Sequence, residues 1–276
     1  MTDLRVIPQE VRDFFAKPGG RSLLVKGSPG TGKTTFALQL LEMLAEPEKS
    51  FYLSTRVSDE SLYRQFPWLK EKEMRNRIID AGRVLLETLA QPEEGTQEYD
   101  EEAAHRLSTA KDFLRAIGED ALAPPTKVDR THLGVLIERI RMPEVERIYD
   151  RIEAVLPQRA MLVVDSIEGI TGKYGLDREE LVFCLQKDLV EHSNTNVLFV
   201  TESGQHDSVE YLVDGVISLS HEVINDKRVR HLYLTKLRAT EIRQPSYLVT
   251  LRNGRFCSFD QFIPDQDRIG GEWIPY

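Results

Sequence analysis

Apolar positions change their period several times along the chain, and the changes outline a fold. "SLLVKG" (22–27) is a short apolar run ending in glycine, and "KTTFALQLLEMLAEP" (33–47) then shifts to helical spacing. In that helix Phe36, Leu40, Met43 and Leu44 share a face, and Pro47 marks the end. "SFYLST" (50–55), "AMLVVDSI" (160–167), "NVLFVTES" (196–203) and "GVISLS" (215–220) are further runs rich in Val, Ile and Leu. Near-continuous apolar runs of this kind predict a parallel sheet covered on both faces. "DREELVFCLQKDLVEHSN" supplies a helical crossover between two of them. The later runs differ: "RHLYLTKLRA" (230–239) and "SYLVTLRNGRFCSF" (246–259) read as antiparallel strands, with Asn253-Gly254 as a hairpin turn. The pattern predicts an α/β domain with a mostly parallel sheet and an antiparallel C-terminal edge.

Residues 56–159 break the rhythm. They carry helical patterns such as "RTHLGVLIERI", an acidic piece "PEEGTQEYDEE" and the turn signal "LAPPTK". About a hundred residues is long for one crossover between strands. The expectation is a domain spanning 1–260, interrupted by a helical insertion at about 69–157, with a tail at 261–276. Within the insertion, "RIRMPEVERIYDRI" interleaves arginines and acids at helical spacing and reads as a solvated face.

Composition narrows the class. Of 276 residues, 41% are hydrophobic and 29% charged, enough for a substantial core. The formal net charge of -9 disfavours non-specific attraction to nucleic acid or anionic lipid. Cys184 and Cys257 lie far apart without metal-type spacing and read as apolar thiols in a reducing compartment. The six histidines likewise show no ligand spacing, so no zinc site is expected from sequence. Trp68 and Trp273 read as packing anchors. The start "MTDLRVIPQEVRDFF" has no apolar signal region, and no run approaches eighteen apolar residues. A cytoplasmic protein without a membrane span is expected.

The chemistry concentrates in "GSPGTGKTT": Gly27, Ser28, Pro29, Gly30, Thr31, Gly32, Lys33, Thr34 and Thr35. Gly27, Gly32, Lys33 and Thr34 fit G-x-x-x-x-G-K-[ST] with a strand in front and a helix behind. Glycines let successive backbone N–H groups turn inward as an anion nest, and the helix beginning at Lys33 adds its positive end. ATP and Mg²⁺ are the expected ligands. Lys33 would reach the β- and γ-phosphates, and the Thr34 hydroxyl would take one metal position. Asp165 closes the run "MLVVD", where a second acid approaches such a metal.

The order of pieces resembles the RecA-like P-loop ATPases, and within them the KaiC-like branch. The residues that carry the likeness are "GSPGTGKTT", "LVVDSIEGI", "VLFVTES" followed by "YLVDGVISL", and "RHLYLTKLRATEI". "IPQEVRDFFAKPGGRSLLVKG" and "FYLSTRVSDESLYRQFPWL" are more narrowly similar to archaeal ATP-binding proteins related to GvpD, a gas-vesicle regulator. The resemblance implies a nucleotide held between subunits of a ring, with Lys236 and Arg238 of "TKLR" reaching the γ-phosphate of a neighbouring subunit. It also exposes a departure. Relatives carry a glutamate after the second strand, often in F-E-E, whereas this chain has Arg56 and Val57 there. Arginine stays protonated and cannot act as a base. Glu202, Glu168 and Glu60 are the candidate replacements, the first two favoured because strand ends converge on the nucleotide.

Three functions follow: a slow ATPase or ATP-driven switch; a non-hydrolysing ATP-binding regulatory module that presents its insertion to a protein partner; and a recombination accessory acting on DNA. The acidic balance counts against the third.

Overall fold

The computed structural model describes residues 7–44, 46–71, 77–90, 125–202 and 208–260. The expected tail at 261–276, and Trp273 with it, lies outside them. The elements run α1 (Gln9–Ala16), β1 (Ser22–Gly27), α2 (Lys33–Leu44), β2 (Ser50–Ser54), α3 (Asp59–Gln65), α4 (Trp68–Glu71), β3 (Ile78–Asp80) and α5 (Ala81–Ala90). They continue with α6 (Thr131–Ile137), α7 (Pro143–Glu153), β4 (Met161–Asp165), α8 (Ile167–Tyr174), α9 (Arg178–Leu185), a π-helical turn at Gln186–Glu191, and β5 (Asn196–Thr201). The last are α10 (Val209–Leu212), β6 (Gly215–Ile224), β7 (Lys227–Leu237), β8 (Ser246–Thr250) and β9 (Cys257–Asp260).

These strands form one sheet in the order β3-β2-β4-β5-β1-β6-β7-β8-β9. Pairings from β3 to β6 are parallel, and those from β6 to β9 are antiparallel. The apolar runs of β1, β2 and β5 are buried throughout because helices cover both faces. Alternate strand residues feed two cores. Leu23, Val25, Val163 and Leu198 pack with Phe14, Phe36, Leu40 and Leu69 on one face. Leu24, Leu162, Val164 and Phe199 pack with Leu133, Ile148, Ile167 and Leu181 on the other. Cys184 lies in this second core, where burial pushes its thiol up to about 12, so it stays protonated and unreactive.

α2 is buried on nearly every side rather than along one stripe. One side faces the sheet, and the residues before β9 cover another: Phe256 meets Phe36 edge-on at 5.0 Å, and Arg255 bonds Gln39 and Glu42. The Arg255 guanidinium also stacks 3.8 Å from the ring centre of Trp68, whose indole N–H donates to the Gly254 carbonyl at 3.3 Å.

The stretch expected as an insertion, 69–157, supplies parts of this same body. β3 pairs in parallel with β2 and becomes the sheet's edge, and Leu69 is fully buried. In α7, Met142 at its N-cap and Val145, Ile148, Tyr149 and Ile152 within it enter the second core. "RIRMPEVERIYDRI" is therefore solvated on one side only; its apolar residues recur every three or four positions and point inward. The middle of the stretch, 91–124, lies outside the described residues. β6 and β7 extend as one long hairpin past the level of Gly27, turning at Asn225 (φ 49°) and Asp226 (φ 61°), where a tight hairpin needs two left-handed residues.

Candidate nucleotide-binding site

Four strand ends meet at one end of the sheet. β1 delivers the glycine-rich loop, β4 ends at Asp165, β5 ends beside Glu202, and β2 ends beside Thr55 and Arg56. One strand, β5, separates the loop strand from the acid strand. This is the carboxyl end of an open parallel sheet, where ligands of such folds are received.

Glycine is required in the loop for want of space. A Cβ on Gly27 would stand 2.2 Å from the Leu219 carbonyl oxygen, and one on Gly32 would stand 2.9 Å from the Leu251 side chain. Gly32 also takes a φ of 106°, a conformation that side chains rarely adopt. Ser28, Pro29 and Gly30 are exposed at the tip, whereas Thr31 is buried and its hydroxyl donates to the Ser28 carbonyl at 2.9 Å. Lys33 and Thr35 are buried in the first turn of α2.

Lys33 curls back over the loop, its ammonium donating to the carbonyls of Gly27 at 2.5 Å and Ser28 at 3.1 Å. Burial lowers its pKa, a tendency opposed by the negative charges of Glu202, Asp165 and Glu168. The Thr34 hydroxyl donates to Asp165 Oδ2 at 2.7 Å, and the Tyr52 phenol donates to the same oxygen at 2.5 Å. Burial raises the pKa of Asp165 against the opposing pull of these two hydrogen bonds. Burial, with the neighbouring carboxylate, also pushes the Tyr52 phenol well up, so it remains a donor.

Thr55 braces the end of β4. Its hydroxyl lies within hydrogen-bond reach of the Asp165 and Ser166 carbonyls, to which it donates, and it accepts the Ser166 N–H at 2.8 Å. Gly169 in α8 makes this approach possible, since a Cβ there would fall 2.0 Å from the Thr55 hydroxyl.

The three candidate acids separate in space. Glu202 forms an ion pair with Arg56 at 2.5 Å. Glu168, in the first turn of α8, accepts from the Thr201 hydroxyl and from the Glu202 N–H at 3.2 Å, and faces Arg178 at 3.6 Å. Glu60 is exposed in the first turn of α3.

Lys236 and Arg238 lie elsewhere. Lys236 pairs with Val216, which is level with Leu24, three residues before Gly27. At strand spacing that is about 10 Å below the start of the loop. Lys236 donates to the carbonyls of Glu210 and Val213, while Arg238 donates to Asp214 at 3.2 Å and to the Tyr211 carbonyl at 3.4 Å. The two cations share one patch, as alternation on a strand predicts, at a distance from this chain's own loop.

Sequence reasoning missed Tyr52, Thr55 and Arg230. Tyr52 is the polar tip in an apolar strand, two residues before Ser54, which pairs with Asp165. Nothing local in "SFYLST" marks Thr55 as the brace of another strand. Arg230, in β7, donates to the Gly30 carbonyl at 3.4 Å, and the signal for it was the turn pair Asn225-Asp226 that aims the hairpin over the loop.

The donor set suits a magnesium-bound nucleoside triphosphate. Gly27 and Gly32 leave a cradle free of side chains, the Thr34 hydroxyl meets a carboxylate, and beside them Ser166 Oγ and Glu168 Oε2 are buried without a hydrogen-bond partner. Fold and site together define a P-loop nucleotide-binding protein of the RecA-like type. The family model described as "GvpD gas vesicle protein, P-loop domain" matches residues 11–238, and the chain belongs to that family. It is 27% identical to Protein GvpD2 of Halobacterium salinarum over 268 residues, covering 94% of this chain and 47% of that protein. Protein GvpD1 of the same organism is 26% identical over 260 residues, covering 92% of this chain and 41% of that protein. The chain thus spans less than half the length of these relatives. The crystal structure of a KaiC-like protein from the hyperthermophilic archaeon Pyrococcus horikoshii OT3 shares the fold, with a TM-score of 0.56 at 20% identity, covering 94% of this chain and 99% of that one.

Proposed function

We propose that the chain binds ATP with Mg²⁺ and works as an ATP-driven regulatory switch with slow hydrolysis, acting through assembly with copies of itself. The observation that carries the reading is the Thr34–Asp165 hydrogen bond beneath the phosphate loop, which holds two metal-ligand types together at 2.7 Å. Bound Mg²⁺ would neutralise charge on the β- and γ-phosphates and join them to the chain. Thr34 would hold it directly and Asp165 through water, while Tyr52 and Thr55 keep that acid and its backbone in place. Lys33, now sharing its protons among neutral carbonyls, would exchange them for phosphate oxygens.

Slow turnover is the consequence of Arg56. The position that carries a water-orienting acid in similar sequences holds a cation instead, and that cation occupies Glu202. A carboxylate engaged in an ion pair must leave that contact before it can orient a water. Lys236 and Arg238, distant from their own loop, suit a phosphate on a neighbouring copy.

Steady-state phosphate release tests the reading, compared between wild type and Lys33→Ala with Mg-ATP binding measured in parallel. Binding with slow, Lys33-dependent release is expected. A wild type that binds Mg-ATP yet releases no more phosphate than the variant would leave the non-hydrolysing regulatory module, which the paired state of Glu202 favours. Ligand-biased assembly needs differential affinity for two states and no turnover.

A further inference from the structure

At the opposite end of the sheet, two histidines without ligand spacing in sequence are brought together with two aspartates. The π-helical turn Gln186–Glu191 sits just before β5, so it lies at the amino end of the strands, away from the phosphate loop. Asp188 in this turn is wholly buried. One of its oxygens meets His132 Nδ1 at 2.7 Å; the other accepts the Leu133 N–H at 2.9 Å and the Tyr149 hydroxyl at 3.1 Å. Asp129 is fixed through Oδ1, which accepts from the Thr131 N–H at 2.9 Å and the Thr131 hydroxyl at 2.6 Å. Its other oxygen, Oδ2, faces His192 Nδ1 at 3.0 Å. Ligand atoms of Asp129, Asp188 and His192 all lie within 4.8 Å of one another.

We propose that Asp129, Asp188 and His192 form a site for a divalent transition metal of the zinc type, separate from the nucleotide site, with His132 bonded to Asp188 beside it. The chemistry and the spacing argue for it together. One imidazole and two carboxylates, with a water in the fourth position, are a donor set that suits zinc, and the two negative charges balance the ion. A tetrahedral ion with bonds of about 2.0–2.2 Å separates its ligand atoms by roughly 3.3–3.5 Å, so the observed cluster closes on it with small side-chain shifts. The carboxylates already have the outer partners that orient metal ligands: Thr131 for Asp129, and Tyr149 with the Leu133 N–H for Asp188. Capping the start of α6 explains Asp188 and Asp129 Oδ1, but it requires neither Asp129 Oδ2 nor the His192 imidazole that faces it.

Entry is open from one side. The side chain of His192 is half exposed, and those of Asp129 and His132 are about one third exposed. The His192 imidazole would bind the ion through Nδ1 as the tautomer that carries its proton on Nε2. A π-helical insertion is a common way of turning one side chain out of helical register at a working site, and here it carries Asp188. The bound ion would clamp the start of α6 to the connection between α9 and β5.

The test uses the untagged chain, stripped with a chelator and kept free of nucleotide. Zn²⁺ is titrated in competition with a chromophoric chelator, and Co²⁺ is added separately to read its visible absorption. One equivalent of Zn²⁺ per chain, a Co²⁺ spectrum of tetrahedral type, and a rise in thermal midpoint with Zn²⁺ are expected. His192→Ala and Asp129→Asn, both at partly exposed positions, should weaken binding by about 10–100-fold or more. Lys33→Ala should leave it unchanged, which separates this site from the phosphate loop. The proposal is overturned if the wild type takes up no Zn²⁺ at micromolar concentration. It is equally overturned if His192→Ala and Asp129→Asn, both folded by circular dichroism, bind with wild-type affinity.

Discussion

Arg56 at the exit of β2 and Glu202 at the exit of β5 are joined by an ion pair of 2.5 Å that spans the end of β4 between them. The cation that replaces an expected acid thus engages the acid best placed to stand in for it. Glu202→Gln should lower phosphate release by about 10²-fold, the lower end of what a general base contributes, while Mg-ATP binding stays within a few-fold. Arg56→Ala should raise release by freeing the carboxylate, and the double variant should lose that gain. A fall in release for Arg56→Ala alone would assign Arg56 to the phosphate instead.

Asp165 predicts a stability gain that costs function. Burial raises its pKa, so between the ordinary carboxylate value and this raised value the folded chain holds more protons than the unfolded one. Stability from this group is present at low pH and is lost as pH rises through the folded pKa. Asp165→Asn, which cannot ionise, should melt above wild type at pH 7 without ligand, by about 2–4 °C for each kcal/mol relieved. The difference should shrink as pH falls toward the ordinary carboxylate range. The same variant should lose the further stabilisation that Mg-ATP gives wild type. Thermal melts across pH, with and without Mg-ATP, check both halves.

Gly169 predicts a packing failure. A methyl group there would meet the Thr55 hydroxyl at 2.0 Å and its Cβ at 2.5 Å, displacing the brace on Asp165 and Ser166. Gly169→Ala should lower stability by about 1–3 kcal/mol through overpacking. It should also weaken Mg-ATP binding more than ADP binding without metal. Denaturant unfolding and nucleotide titration together separate this from a purely structural loss.

Arg238 predicts the reverse: little stability, much assembly. Its side chain is half exposed and its partners, Asp214 and the Tyr211 carbonyl, are local. Exposed pairs of this kind contribute about 0–1 kcal/mol. Arg238→Ala should therefore melt near wild type and bind Mg-ATP normally, yet lose ATP-dependent growth in mass by light scattering. A wild type that remains a monomer with and without Mg-ATP would remove the proposed role of Lys236 and Arg238 between copies.

Much of this was legible in sequence because short-range rules governed it. β1, the loop and α2 follow from an apolar run, glycines at fixed offsets and a change of period. Asp165 stands out as the one charge closing "MLVVD". The fate of 69–157 was not legible in the same way. Its charges suggested a solvated helix, while Val145, Ile148, Tyr149 and Ile152 marked an inward face whose partner core was identifiable only in three dimensions. β3 has three residues, too few for a period to show. The meeting of Asp129 with His192, and of His132 with Asp188, depends on the start of α6 and the turn before β5 being neighbours, a relation between distant parts of the chain. Local pattern determines elements; long-range convergence needs the topology.

Lys33, Thr34 and Asp165 would give the chain a metal-dependent grip on nucleoside triphosphate. Its most direct test is calorimetric titration of ATP into wild type and Lys33→Ala, each with and without Mg²⁺. One site per chain in wild type, strengthened by Mg²⁺, is expected, with a loss of about 10–100-fold in Lys33→Ala, the range for charge-assisted hydrogen bonds of about 1.5–3 kcal/mol. Wild type that takes up no ATP, or Lys33→Ala that binds it equally well, would contradict it.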